Sequence, residues 1–183
     1  MREAASQNGG VAGATVGEAL EAVRRLVRAL RIGANRAHDT VGISSAELFV
    51  LRALEEGGAV ESLNELAART YTDQSSASPI VARLQRRRLI RRQRATADRR
   101  RIVIELTDRG RTVLRRAPEA PQATVITALR RMPVSERTAL ARGLTHLVAE
   151  MGWANARTAM LFEEPARRSS KRRAGASLEE SGT

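Results

Sequence analysis

Residues 94–110 read RATADRRRIVIELTDRG. Ile102, Ile104 and Leu106 alternate with Val103 and Glu105, the period of a strand with one buried face. Thr107 follows, a residue able to cap a helix, and the stretch after it (DRGRTVLRRA) is helical in pattern. In front of the strand stand four arginines and one acid, Asp98. Just upstream, LIRRQ (89–93) reads as a partner strand. The charged run therefore sits at the tip of a hairpin, and the question is what that hairpin belongs to.

The elements before it answer this. GISSAELFVLRALEEGG (42–58) is a helix with Leu48, Leu51 and Leu54 on its apolar side, Ser44 or Ser45 as cap and Gly57-Gly58 as stop. ESLNELAART (61–70) is a short helix capped by Ser62, with Glu65 at the capping-box position. TDQSSASPIVARLQRRR (72–88) is a further helix. Three helices followed by a hairpin predict a winged helix-turn-helix.

Two long helical patterns flank this unit. Val16, Leu20, Val23, Val27, Leu30 and Ala34 recur at spacings of four and three, one stripe of a helix running to about Ala37, and Leu26 widens it. After the hairpin, Pro118 and Pro121 interrupt the helix that Thr107 starts; Val125, Leu129 and Met132 resume the pattern. Ser135 is expected to cap a last helix whose Leu140, Leu144, Leu147 and Met151 share a face. These stripes have no partner within so small a unit, so they are expected to pack across a homodimer.

The predicted fold class is mostly α with a small β-hairpin wing (α+β). The expected organisation is a disordered N-terminal tail (1–15), a dimerisation helix (16–40), the winged unit (42–107), dimerisation helices (108–153) and a disordered tail, basic and then acidic (164–183).

Composition narrows the function. The chain of 183 residues carries a formal net charge of +12, only 2% aromatics and no Cys. The charge points to a polyanion, nucleic acid before an anionic membrane surface. Without Cys, disulfides, thiolate metal sites and thiol redox sensing are excluded. Apolar runs fall far short of a membrane span, and MREAASQNGG is not a signal peptide, so a cytoplasmic protein is expected. His38 and His146 lack metal-ligand spacing. No phosphate-binding Gly loop, His-Glu-x-x-His or Gly-x-Ser-x-Gly occurs, and GGVAGATVG (9–17) lacks the P-loop Lys. No enzyme, catalytic residue, metal or cofactor is expected.

The helix over 72–88 has two sides. Ala77, Val81 and Leu84, flanked by Ile80, should pack inward. Ser75, Pro79, Ala82 and Arg86, with Ser78 and Arg83 at the edges, would enter a major groove. Gln74, Ser75, Ser76 and Ser78 lie near the positive end of the helix dipole, where they can donate to phosphates. Arg83 and Arg86 can reach phosphate or a guanine edge. Pro79 and Ala82 offer only apolar contact, for instance to a thymine methyl. Because an interior Pro costs about 3 kcal/mol, the helix is expected to start late, at a Ser76 cap. Within 83–116 there are 14 Arg against Asp98, Glu105 and Asp108, so Arg99, Arg100 and Arg101 at the hairpin tip suit a minor groove.

Three motifs in order, ARLQRRRLIRR (82–92), ADRR (97–100) and ELTDRG (105–110), resemble the multiple-antibiotic-resistance repressor (MarR) family over roughly residues 16–152. The resemblance implies a homodimeric regulator on a pseudo-palindromic double-stranded operator, often released by a small molecule. By its Asp-x-Arg pattern, Arg100 would be the inserted residue and Asp98 would hold the wing by pairing with an Arg. It also implies an effector pocket between the dimer helices and the winged unit, near Arg36, His38, Phe49 and Arg52. The chain departs from the family twice. Arg88 stands where Gly is usual before the wing, and Pro79 stands where Arg or another polar residue is common. Two other classes stay open: a nonspecific basic DNA-binding, nucleoid-associated protein, and a dimeric module binding an acidic protein.

Overall fold

The computed structural model describes residues 3–94 and 102–155, with side chains over 15–93 and 102–155. The order is α1 (Glu3–Val41), α2 (Ser45–Gly57), α3 (Leu63–Arg69), α4 (Gln74–Arg86), β1 (Ile90–Arg94), β2 (Ile102–Leu106), α5 (Asp108–Arg116), α6 (Pro121–Arg131) and α7 (Val134–Glu150). This is the mostly helical fold with a hairpin wing that the sequence predicts.

Helix α2 is the hub. Ser44 caps it, accepting from the Glu47 N–H, and the Glu47 carboxylate accepts the Ser44 N–H at 2.8 Å. Gly58, at φ 72°, ends it. Leu48, Leu51 and Leu54 are buried as expected, and so are Ala46 and Val50 on the other sides, because α1, α4, α5 and α6 all pack on this helix. The core continues through Leu66, Ile80, Val81, Leu84, Ile90, Ile104 and Leu114.

The hairpin is antiparallel, with Ile90 opposite Leu106 and Arg94 opposite Ile102. Ile104 and Leu106 are buried, but Ile102 is 40% exposed because it lies at the outer end of the strand, beyond the body. Val60 adds a third, one-residue strand by exchanging both backbone hydrogen bonds with Ile104. No period announces it.

The base of the hairpin is a tight crossing. Arg88 sits in the left-handed region at φ 58°. Its N–H donates to the Gln85 carbonyl and that of Leu89 donates to Leu84, which closes α4 in a Schellman turn. Arg88 thus adopts the backbone for which Gly is favoured. The Leu89 carbonyl then meets the start of α5. Thr107 donates its N–H to that oxygen at 3.1 Å, and its hydroxyl lies 2.8 Å from the Arg88 carbonyl. The Gly110 N–H donates to the Thr107 hydroxyl. A Cβ on Gly110 would lie 2.2 Å from the Leu89 oxygen. The Gly of LTDRG is therefore required by backbone packed on backbone.

Several local expectations are corrected. Helix α4 starts at Gln74, capped by Asp73, so Pro79 is its sixth residue and interior. Asp73 supplies the start signal: its carboxylate accepts the Ser76 N–H at 2.8 Å. Pro79 then deprives only the exposed Ser75 carbonyl of its donor, where water can substitute. Helix α7 begins at Val134 behind Pro133 with no side-chain cap, so Ser135 is not its cap. Helix α1 begins at Glu3, within the 1–15 segment read as a tail. Apolar period marks burial, whereas Glu and Ala extend a formed helix without it.

The stripes of α1 and α7 remain open in the single chain. Val16 is 60% exposed and Leu20 48%, while Leu30 and Ala37 are buried. No residue of α7 is buried, and Leu144 and Leu147 are 45% and 48% exposed.

Candidate nucleic-acid interface

The exposed side of α4 carries Gln74, Ser75, Ser78, Pro79, Ala82, Gln85 and Arg86, and its other side buries Ser76, Ala77, Ile80, Val81 and Leu84. The inward set matches expectation except for Ser76. That residue turns inward because Asp73 takes both its N–H and its hydroxyl, the latter at 3.2 Å. Ser75 also donates its hydroxyl to Asp73, at 2.6 Å. The Ser75 hydroxyl first, and the Ser76 N–H next, hold the Asp73 carboxyl below its ordinary range. Of the serines expected to face outward, Ser78 and Ser75 do so, and Ser75 already has a donor role.

Arg83 does not project from this face. Its Nε lies 3.7 Å from Oε1 of the buried Glu47, and its side chain is only 23% exposed. Arg87 approaches the same carboxylate at 3.5 Å and donates to the Gly42 carbonyl at 2.6 Å. Gly42, at φ 66°, lies just beyond the end of α1. Arg87, which the sequence reading passed over, thus joins the end of α4 to the start of α2 and the end of α1. The Ser44-x-x-Glu47 spacing was the available signal, since it marks Glu47 as a fixed carboxylate facing a basic helix end. At the other end of α4, Tyr71 occupies the turn from α3 at φ 53°. Arg130 of α6 lies over its ring, 5.9 Å from the centroid, and donates to its hydroxyl at 2.7 Å.

On the hairpin, Glu105 accepts from Arg91 at 2.8 Å and from Gln93. This hydrogen bond, with its charge, raises the Arg91 guanidinium further above its ordinary value. Arg92, opposite Ile104, is exposed. Asp98, Arg99, Arg100 and Arg101 lie outside the described residues.

The four residues tied to an effector pocket are differently placed. Arg36 and His38 are exposed on α1, two residues apart and so about 200° around the helix. Phe49 belongs to the core. Arg52 pairs with Glu55 and donates to the Leu114 and Ala117 carbonyls at 3.2 and 3.3 Å, capping the end of α5. A buried link missed by the sequence reading, Ser45 donating to Gln122 at 2.6 Å, ties α2 to α6. Among the described residues no cluster of three His, Cys, Asp or Glu could hold a metal, and no helix is long and apolar enough to cross a membrane.

Residues 41–101 match the sequence model of the MarR family. Among curated proteins, the chain is 38% identical over 69 residues to the HTH-type transcriptional repressor MdtR of Bacillus subtilis, a match spanning 38% of this chain and 44% of that protein. The chain thus spans less than half the length of that relative. Among solved structures, a MepR-like protein complexed with pseudoligands aligns over 74% of this chain and 95% of its own, with a TM-score of 0.50 and 20% identity. A MarR family protein from Bacillus stearothermophilus aligns over 76% and 97%, with a TM-score of 0.47 and 23% identity. The resemblance read from the three motifs is borne out.

Proposed function

With a winged unit of the MarR type as premise, we propose that the chain is a cytoplasmic DNA-binding transcriptional regulator. It acts as a homodimer on a pseudo-palindromic operator, and a small-molecule effector releases it. The observation that carries the reading is α4: a rigidly capped helix exposes Gln74, Ser75, Ser78, Pro79, Ala82, Gln85 and Arg86 along one side. Such a helix fits a major groove, with its N-terminal turn at the phosphates and Arg86 at the far end. Arg99, Arg100 and Arg101 at the wing tip would add a minor-groove contact, with Asp98 holding Arg100 in place. Repression as the outcome is supported by the likeness to the repressor MdtR over 69 residues.

Selecting bound duplexes from a random pool tests the reading. A two-fold symmetric motif with half-sites about one helical turn apart is expected. Binding without a motif would overturn it. Arg100→Ala should weaken binding across sequences and flatten the salt slope by about two for a dimer; an unchanged slope would remove Arg100 from the interface. The shortage of donors at the centre of α4 favours one other reading, a nonspecific basic DNA-binding protein of nucleoid type. On that reading scrambled duplex would compete as well as the selected site.

A further inference from the structure

The reading face of α4 has an apolar centre. Residues 75, 79, 82 and 86 fall within about 60° of one another around the helix. Of these, Pro79 and Ala82 occupy the middle, and both are exposed. Of the polar side chains around it, Ser78 is exposed but lies toward the flank of Gln74 and Gln85, and three others are committed elsewhere. Arg83 is drawn to Glu47, Ser76 is inward on Asp73, and the Ser75 hydroxyl donates to the same carboxylate. Gln74 and Gln85 stand toward one flank, and Arg86 stands a turn beyond the centre. A pyrrolidine ring beside a methyl group satisfies no base-edge donor or acceptor. The one apolar group in the major groove is the thymine 5-methyl. An unmethylated pyrimidine, or a guanine presenting N7 and O6, would lose hydration there and gain no hydrogen bond.

We infer that the Pro79–Ala82 surface is the specificity-determining element of this site and selects a thymine, through its 5-methyl group, at the centre of each half-site. The inference rests on α4 being the DNA-reading helix. It makes Pro79 a contact chosen for its apolar surface, in a helix otherwise short of base readers.

The test starts from the duplex selected by the full-length wild-type protein. Each thymine is replaced in turn by deoxyuridine, which removes the 5-methyl and leaves pairing intact. At one thymine per half-site the exchange is expected to weaken binding about four-fold, the worth of one buried carbon, and on the order of fifteen-fold when both half-sites are changed. The same series is run on Pro79→Ser, which keeps the residue small and restores the helix N–H. There the penalty at that thymine should fall to less than two-fold, while penalties at other positions persist. Deoxyuridine tolerated at every position overturns the inference and leaves the operator reading standing. An equal penalty in wild type and Pro79→Ser also overturns it, since the methyl is then read elsewhere. Selection of no motif by wild type overturns the operator reading itself, and this inference with it.

Discussion

At the scale of single residues, the hairpin base holds two positions of opposite logic. Arg88 adopts a left-handed backbone, which costs a non-Gly residue about 1 kcal/mol. Arg88→Gly should therefore raise the stability of the DNA-free protein by about 1 kcal/mol, a rise in Tm of about 2–4 °C. A calorimetric scan that shows no rise would mean that the arginine side chain offsets its backbone. Gly110 is the reverse case. Its missing Cβ is the space filled by the Leu89 carbonyl at 2.2 Å, with Leu106 Cδ2 also close. Gly110→Ala must push β1 off α5 and should cost on the order of 3 kcal/mol, read as a loss of denaturant midpoint. The sequence displayed both residues without their relation. Arg88 stood out as a missing Gly and Gly110 as the end of LTDRG. That a single carbonyl joins them is a tertiary fact, which no local period carries.

At the scale of elements, α4 shows which signals are legible and which are not. Its buried side followed from spacing, because Ala77, Ile80, Val81 and Leu84 recur at helical intervals. Its start did not, since Pro79 argues for a late start whereas the Asp73 carboxylate caps an earlier one. Nor did the destinations of its arginines, because a long flexible side chain is placed by its partner, and Glu47 is 36 residues before Arg83 in sequence. The Glu47 carboxylate is buried with Arg83 and Arg87 around it. Glu47→Ala should cost about 2 kcal/mol, by stranding these groups and the Ser44 N–H. It should also weaken operator binding, because α4 loses its brace against α2. Unfolding midpoint and duplex titration read the two effects separately. The Asp73 cap gives a pH test. Its folded carboxyl titrates below the ordinary 3.8, so its contribution is complete above that value and is lost as pH falls through the lower folded value. The stability gap between wild type and Asp73→Asn should accordingly be constant from pH 5 to 7 and close below about pH 4. A gap that persists to pH 2 would assign the cap to geometry rather than charge.

At the scale of the whole molecule, one core joins the winged unit to parts of α1, α5 and α6, while among the described side chains the first half of α1 and all of α7 bury no large apolar residue in it. Leu30 and Ala37 bind the second half of α1 to the body, yet Val16, Leu20, Val23, Leu26 and Val27 face outward, as do Leu140, Leu144, Leu147 and Met151 of α7. Their 4-3 spacing was visible in the sequence, and so was the need for a partner; the partner itself lies outside one chain. If a second copy covers these stripes, each winged unit is tethered to the other, and binding the second half-site becomes intramolecular. Arg87, reaching from α4 to the carbonyl beyond the end of α1, and Arg130, over Tyr71, would then set the angle between the reading helices and hence the half-site spacing. The expectation is that Leu20→Asp with Leu144→Asp converts a dimer to a monomer in sedimentation, with the melting of the winged unit retained. Operator affinity should fall by about 10²–10⁴-fold, the usual worth of a tethered second site. The slope of log K against log salt should halve, because half the phosphates are contacted. A double variant that sediments as a monomer but keeps the wild-type affinity and slope would mean that one winged unit binds alone, and the symmetric operator would lose its physical basis.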